Sequence, residues 1–272
     1  MSDGIKRWDI RYRAHNRRVR PAVVLLPAAY GPRRPTPPLP LVISPHGRNV
    51  RAAVNASKWG NLPAEGRFAL VCPGGQGRRL PLASWGYRGQ IADLARMPEI
   101  IRAALPWLRV NGRKIYAVGG SMGGQETLLL LGQYPRLLAG AVAFDSVTNF
   151  YRRYSDFARS PGGRRAQALA REEVGGTPRT NPRGYVLRSP THWIPAVARS
   201  GVPLQIWWSD ADKIVIDQTH QSGVFYREVR KRRPRGRVEA VTGSWSHSFT
   251  TYANLQLPAA VRWLGLVTSP DR

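Results

Sequence analysis

Short apolar runs ended by turn residues recur along the chain and alternate with stretches whose apolar positions repeat near the helical period. The runs are Arg7–Arg13, which alternates apolar and polar as an edge strand does, then Ala22–Leu26, Leu41–Ser44, Ala69–Cys72, Ile115–Val118, Ala141–Phe144, Leu204–Trp208 and Val238–Val241. Their β-branched and apolar content, with Gly and Pro at their ends, predicts about eight strands. Between them Asp93–Leu108, Met122–Gln133, Gln218–Arg232 and Pro258–Leu266 carry helical spacing, the last with Pro in the first turn, where its missing N–H is harmless. Strand-loop-helix alternation of this kind predicts an α/β sheet rather than a sandwich or a bundle. The last four or so residues are expected to fray.

One stretch interrupts the alternation. Residues 148–200 are rich in Arg, Gly, Pro and aromatics, carry one predicted helix at Arg164–Glu173, and separate two predicted core strands. Long insertions in compact domains tend to be binding elements, so residues 148–200 are expected to form a cap-like insertion within a single domain spanning residues 1–272.

Composition changes this picture little, and charge raises one alternative. At 272 residues with 42% hydrophobic content the chain can bury a sizeable core. It has no apolar run of about 18 residues, the length a membrane span needs. The N-terminal MSDGIKRWDIRYRAHNRRVR lacks the apolar centre of a secretion signal, so a cytoplasmic chain is expected. Cys72 is the single cysteine, which excludes an intrachain disulfide. The 42 Lys and Arg against 16 Asp and Glu give a formal charge of +26, which invites a nucleic-acid reading. The basic residues are nearly all Arg and are spread along the chain, and no helix-turn-helix, zinc-finger or aromatic RNA-binding signature accompanies them, so no specific nucleic-acid partner is expected. The densest run, Arg230–Arg237, reads as a solvated loop or as a patch for an anionic surface or substrate.

The strongest chemical signal is Gly119-Gly120-Ser121-Met122-Gly123-Gly124. A predicted strand runs into it and a predicted helix runs out, which is the strand-turn-helix context that a G-x-S-x-G nucleophile elbow requires. Small residues flank the serine because the turn is tight, and the helix N-terminus favours developing negative charge. A serine hydroxyl needs a base, and the base needs a carboxylate; with such an elbow the chain order is serine, acid, histidine. His247 is the sole histidine beyond His220, which falls in a predicted helix, so His247 is the candidate base. The loop Ser209–Val215 offers Asp210 and Asp212, of which Asp212 is the candidate acid because Asp210, directly after the strand, suits loop capping. Asp145, at the end of the strand after the elbow helix, is the outside candidate. Met122 and Arg48 are the candidate backbone donors of an oxyanion hole, and His46 reads as an anchor of its loop. Trp85, Tyr87, Tyr151, Trp193 and Trp245 lie in predicted loops and are candidate substrate contacts; no cofactor or metal is expected.

The chain resembles an α/β-hydrolase over nearly its whole length, and within that superfamily the prolyl-oligopeptidase-like and esterase-D-like serine hydrolases. The resemblance rests on Pro45–Arg48, Gly119–Gly124, Gly175-Gly176-Thr177-Pro178 with Ser189-Pro190 leading into Val202-Pro203-Leu204, Ser209–Val215 and Ser246–Phe249. It implies an eight-stranded, mostly parallel sheet and a cofactor-free acyl-enzyme mechanism on a small-molecule or polymeric ester, aromatic polyesters included. Two departures stand out: Ser209 occupies a position that is glycine in many relatives, and no β-propeller like that of oligopeptidases is expected ahead of the catalytic domain. A serine peptidase and a non-catalytic binder of anionic polymers are the alternatives.

Overall fold

The computed structural model describes residues 4–33, 37–160, 162–247 and 252–267. Eight strands form one sheet: β1 (Ile5–Arg13), β2 (Val19–Pro27), β3 (Leu39–Ile43), β4 (Ala69–Pro73), β5 (Val110–Gly120), β6 (Gly140–Phe144), β7 (Leu204–Ser209) and β8 (Val238–Gly243). Their order is β1-β2-β4-β3-β5-β6-β7-β8, antiparallel at β1/β2 and β2/β4 and parallel from there on. This is the α/β-hydrolase fold. Each of the eight apolar runs seeds one strand, most of them longer than its run.

Alternation along the strands divides the core into two layers. Val24, Leu26, Leu41, Ile43 and Ala117 pack on one face, while Val23, Leu25, Val42 and Val118 pack on the other. Period-two geometry sends successive side chains to opposite faces, so a sheet covered by helices on both sides must be apolar at every position of its inner strands. β4 and β6 are accordingly buried throughout.

Several predicted helices come out divided. Asp93–Leu108 is two helices, Arg88–Ala95 and Met97–Ala104, separated at Arg96. Pro98 supplies the reason: it has no N–H for the carbonyl four residues back, and it is tolerated only in a first turn. Gln218–Arg232 begins with a separate 3-10 turn, Gln218–His220, before the helix Ser222–Arg232, because Gln221 leaves helical geometry (φ −100°, ψ −98°). The last helix is Leu257–Trp263. The expected fraying of the terminal residues lies outside the described ones.

Between β6 and β7 the structure has more helices than the single predicted one. Gly163–Val174 corresponds to it, and Phe150–Phe157, Pro182–Leu187 and Ile194–Ser200 are added. Their short lengths and Arg-rich exposed faces hide the helical period from sequence. Ile194 and Val197 belong to the main core, so Ile194–Ser200 is a sheet-covering crossover helix. Phe150, Phe157, Ala166, Ala170, Val174 and Tyr185 instead form a separate cluster around Trp85 and Met122. A buried ion pair fastens this unit: Glu173 accepts from the Arg188 guanidinium at 3.2 Å and from the backbone amides of Arg78, Arg79 and Leu80 at 2.6, 2.9 and 3.0 Å.

The helix Met122–Gln133 that leaves the elbow is buried almost throughout and carries a carboxylate, Glu126, with no exposed surface. Glu126 accepts from the Ser84 hydroxyl and, at 3.5 Å, from Gln90 Nε2. Burial outweighs both bonds and pushes the carboxyl from its ordinary 4.5 up to about 7. A value raised in the folded state contributes stability that is complete below about pH 4.5 and is lost as pH rises through about 7, on the order of 3 kcal/mol in all. Glu126→Gln keeps an oxygen acceptor and removes the titration. Thermal melts are therefore expected to show a smaller loss of Tm between about pH 5 and about pH 8.5 in the variant than in the wild-type chain.

Candidate active site

Parallel pairing aligns the carboxyl ends of β5 to β8 at one edge of the sheet, through the pairs Gly120↔Phe144, Phe144↔Trp207 and Ser209↔Gly243. Every loop leaving that edge starts at the same level, and residues from distant parts of the chain meet there. Ser121 sits between β5 and its helix with φ +58° and ψ −123°, a conformation rare for a residue with a Cβ. Its amide donates to Phe144 O at 2.8 Å, and its carbonyl accepts from Gln125 N at 3.0 Å, so the turn is held from both sides. The flanking glycines are there for space. A Cβ on Gly119 would come within 2.4 Å of Gly123 O, and one on Gly123 within 2.3 Å of Pro45 O, pushing the β3 loop away.

The loop after β7 carries Asp212, whose side chain is 1% exposed, and the loop after β8 carries His247, 18% exposed. His247 Nδ1 lies 2.9 Å from Asp212 Oδ2. Asp212 Oδ1 accepts from the amides of Ile214 and Val215 at 2.8 and 2.9 Å, and Oδ2 also accepts from Gln218 Nε2 at 3.4 Å. Burial alone would raise this carboxyl, but the histidine bond and the two amides hold it below the ordinary carboxylate range. An ionised carboxylate has only acceptors, so Nδ1 is the nitrogen that carries a proton toward it, and in the neutral ring Nε2 is then the acceptor.

The histidine loop is clamped by Ser209. Its hydroxyl accepts from Trp245 N at 2.8 Å and from Ala211 N at 3.1 Å and donates to Trp245 O, tying the Asp212 loop to the His247 loop. Asp210, by contrast, is exposed and takes a hydroxyl bond from Ser244. His220 is half-exposed in its 3-10 turn and pairs with Asp217 at 2.7 Å. Of the predicted base loop, Ser248 and Phe249 lie outside the described residues.

Asp145 is the third acidic neighbour. It directly follows β6 at φ +44° and accepts from Ser209 N at 3.0 Å, Trp245 Nε1 at 2.9 Å and Gln256 Nε2 at 3.4 Å. Burial, with a smaller contribution from the Asp212 charge, raises its carboxyl above the ordinary range. One ligand atom each from Asp145, Asp212 and His247 lie within 4.8 Å of one another, the closest approach to a metal-binding set among the described residues. N–H donors already occupy both carboxylates, and a cation would have to displace them.

Ser121 and His247 face a shared cavity of about 310 Å³, whose wall also includes Gly47, Arg48, Phe144, Asp145, Ile214 and Tyr252. The Gly47-Arg48 corner is set by His46, buried to 1% exposure, whose Nδ1 bonds Gly47 O at 2.7 Å and whose Nε2 accepts from Gly75 N at 2.9 Å. Both ring nitrogens are engaged, which fixes a neutral imidazole, and burial depresses its basicity. No carbonyl among the described residues accepts from the Arg48 amide. Met122 is the first residue of its helix, where backbone N–H groups have no partner within the helix.

The predicted aromatic contacts sit elsewhere. Trp85 is 3% exposed and stacks on Phe150 at 5.7 Å; Tyr87 lies edge-on to His15 and under the Arg188 guanidinium. Trp193 donates to Leu187 O at 3.2 Å and packs on the core, and Tyr151 is exposed against Tyr185. Trp245 braces Asp145 beneath the site. None of the five is in the described wall of the Ser121 cavity; among the described residues its aromatic surface comes from Phe144 and Tyr252. Tyr252 gives no sequence signal, because it is one apolar residue at the edge of a helical run.

Comparison with known proteins places this geometry in a fold family. No family model and no curated protein sequence matches the chain. Solved structures match it across nearly its full length. The S-formylglutathione hydrolase FrmB of Staphylococcus aureus superposes with a TM-score of 0.68 at 15% identity, covering 96% of this chain and 98% of that one. An S-formylglutathione hydrolase of Agrobacterium tumefaciens gives 0.70 at 14% identity, with 97% and 96% covered. The acylaminoacyl peptidase of Pyrococcus horikoshii gives 0.70 at 14% identity; 96% of this chain matches 41% of that larger protein. The fold is that of the α/β-hydrolase superfamily, as the sequence motifs imply.

Proposed function

We propose that the chain is a serine hydrolase, and specifically a carboxylic ester hydrolase, with Ser121 as nucleophile, His247 as base and Asp212 as its orienting acid. The observation that carries this reading is the 2.9 Å contact between His247 Nδ1 and an ionised, fully hydrogen-bonded Asp212 on the rim of the cavity that Ser121 faces. His247 Nε2 takes the Ser121 proton as Oγ adds to the ester carbonyl. The amides of Met122 and Arg48 receive the resulting oxyanion. Collapse expels the alcohol, which takes the proton from His247, and water repeats the sequence to release the acid and free the serine. The similarity to S-formylglutathione hydrolases and to a peptidase supports acyl transfer at this position of the fold and leaves ester and amide open.

Esters are favoured because the described cavity wall has no second acidic group beyond Asp145 to hold a peptide amino terminus, and Asp145 is already bonded by three donors. A polyester substrate loses its sequence argument, since none of the five aromatic loop residues is in the described wall of the Ser121 cavity. Side-by-side assay of 4-nitrophenyl esters and aminoacyl anilides tests the reading. Ester turnover is expected to exceed anilide turnover by more than about a hundredfold in kcat/KM; faster anilide cleavage would make the protein a peptidase.

A further inference from the structure

Beside the Ser121 cavity, and sharing Arg48 and Ile214 with it, lies a second cavity of about 450 Å³. Its wall carries Arg48, Arg153, Arg165 and Lys213 and, among the described residues, no acidic one. Three of these cations are exposed, and among the described residues none of the three has a hydrogen bond or ion pair to its side chain. The fourth is different in kind. Arg153 is 5% exposed, yet its Nη1 has no hydrogen-bond partner among the described residues. Its Nη2 donates to Ile214 O, and its guanidinium lies 4.4 Å from the Phe157 ring centre.

The nearby carboxylates do not take up this orphaned donor. Asp156 is bound by Arg159 Nη2 at 2.6 Å and by Gln221 Nε2 at 3.5 Å, and Asp212 is committed to His247 and two amides. Burial lowers the Arg153 guanidinium to about 10, and the Arg48 charge adds to that strain. It remains a cation at neutral pH. Asp156 and Asp212 favour its charge, but the guanidinium stands in the wall of a cavity edged by three more cations, and one of its buried N–H groups has no partner among the described residues.

We propose that this second cavity is a subsite for an anionic group on the substrate, a carboxylate or a phosphate, held by Arg153 with Arg48, Arg165 and Lys213. The inference rests on the ester-hydrolase reading and narrows it: the preferred ester carries an anion on its acyl or its alcohol side. Arg153 and Arg48 bind it from the site side, and Arg165 and Lys213 close the electrostatic rim.

Two substrate pairs separate charge from shape. The 4-nitrophenyl monoester of adipic acid is compared with its methyl-capped form for an acyl-side anion. A butyryl ester of 4-hydroxyphenylpropanoic acid is compared with its methyl ester for an alcohol-side anion. In at least one pair the charged ester is expected to lead by about tenfold or more in kcat/KM at low ionic strength. That lead should shrink at least about fivefold in the Arg165→Ala/Lys213→Ala double variant, whose positions are exposed and leave the core intact, and shrink also with added salt. Arg153→Met is expected to act in the same direction, read against its melting temperature.

Calorimetric titration of adipate and of inorganic phosphate into the wild-type chain and the double variant gives a readout independent of chemistry. The tighter of the two identifies the anion, and binding should weaken in the variant. Hydrolysis without any preference for the charged member of either pair overturns the subsite and leaves the esterase reading standing. Charge-dependent binding with no hydrolysis of any ester overturns the esterase reading and keeps the subsite.

Discussion

Replacing Asp212 by Asn is expected to lower kcat/KM for a 4-nitrophenyl ester by about four orders of magnitude while leaving the fold intact. The size follows from the hydrogen bonds around the carboxylate. Oδ1 is fixed by the amides of Ile214 and Val215, so the group in position to meet His247 is the one at Oδ2. In the variant the carboxamide oxygen keeps the two amide donors, and its NH₂ turns toward Nδ1. The imidazole then accepts at Nδ1 and carries its proton on Nε2, where it cannot receive the serine proton. Asp210→Asn changes an exposed group bonded to Ser244 and is expected to leave the rate within about twofold.

Asp145→Asn is the informative control, because Asp145 shares the cavity and the neighbourhood of His247. Its oxygens are bonded to Ser209 N, Trp245 Nε1 and Gln256 Nε2, so its work is to brace the two loops. A loss of no more than about tenfold is expected, since it acts on His247 through those loops rather than by contact. A loss at Asp145 larger than that at Asp212 would transfer the acid's role to β6. Kinetics on the three aspartate variants, with melting curves as a check on folding, decides among the three candidates that the sequence leaves open.

Ser121→Ala and His247→Ala are each expected to reduce kcat by about 10⁶, and the double variant by no more than either one alone. A nucleophile and its base operate as one unit: without the base the hydroxyl keeps its proton, and without the hydroxyl the base has nothing to deprotonate. What remains in each variant is the contribution of the oxyanion donors and of substrate binding, which neither substitution removes. Additive losses in the double variant would mean that the two residues serve separate steps.

Sequence carried the site further than it carried its surroundings. Ser121 was legible because an elbow writes itself locally: a strand, four glycines with space constraints visible in the structure, and a helix. Asp212 and His247 were legible as candidates through chain order and loop position, and the contacts favour Asp212 over Asp210 and Asp145. Strands survived translation well because a buried parallel strand is a short apolar run in any context. Helices were divided where a single residue, Pro98 or Gln221, breaks geometry without breaking the apolar period. The five aromatic residues lie outside the described wall of the Ser121 cavity for a related reason. Whether Trp85 faces a cavity or Phe150 depends on helices between β6 and β7 whose Arg-rich sequence conceals them. Arg153 was invisible for the same cause, since among the 42 basic residues nothing local distinguishes the two found buried, Arg153 and Arg188. The charge of +26 thereby acquires a particular place beside Ser121 in addition to its general one.

If Ser121 is an activated nucleophile, reaction with a fluorophosphonate probe followed by peptide mass mapping will find it. Stoichiometric modification of the peptide carrying Ser121 is expected, abolished in Ser121→Ala and slowed by at least about a thousandfold in His247→Ala. Modification at another serine, or ester turnover that persists in a chain whose Ser121 is unlabelled, would contradict it.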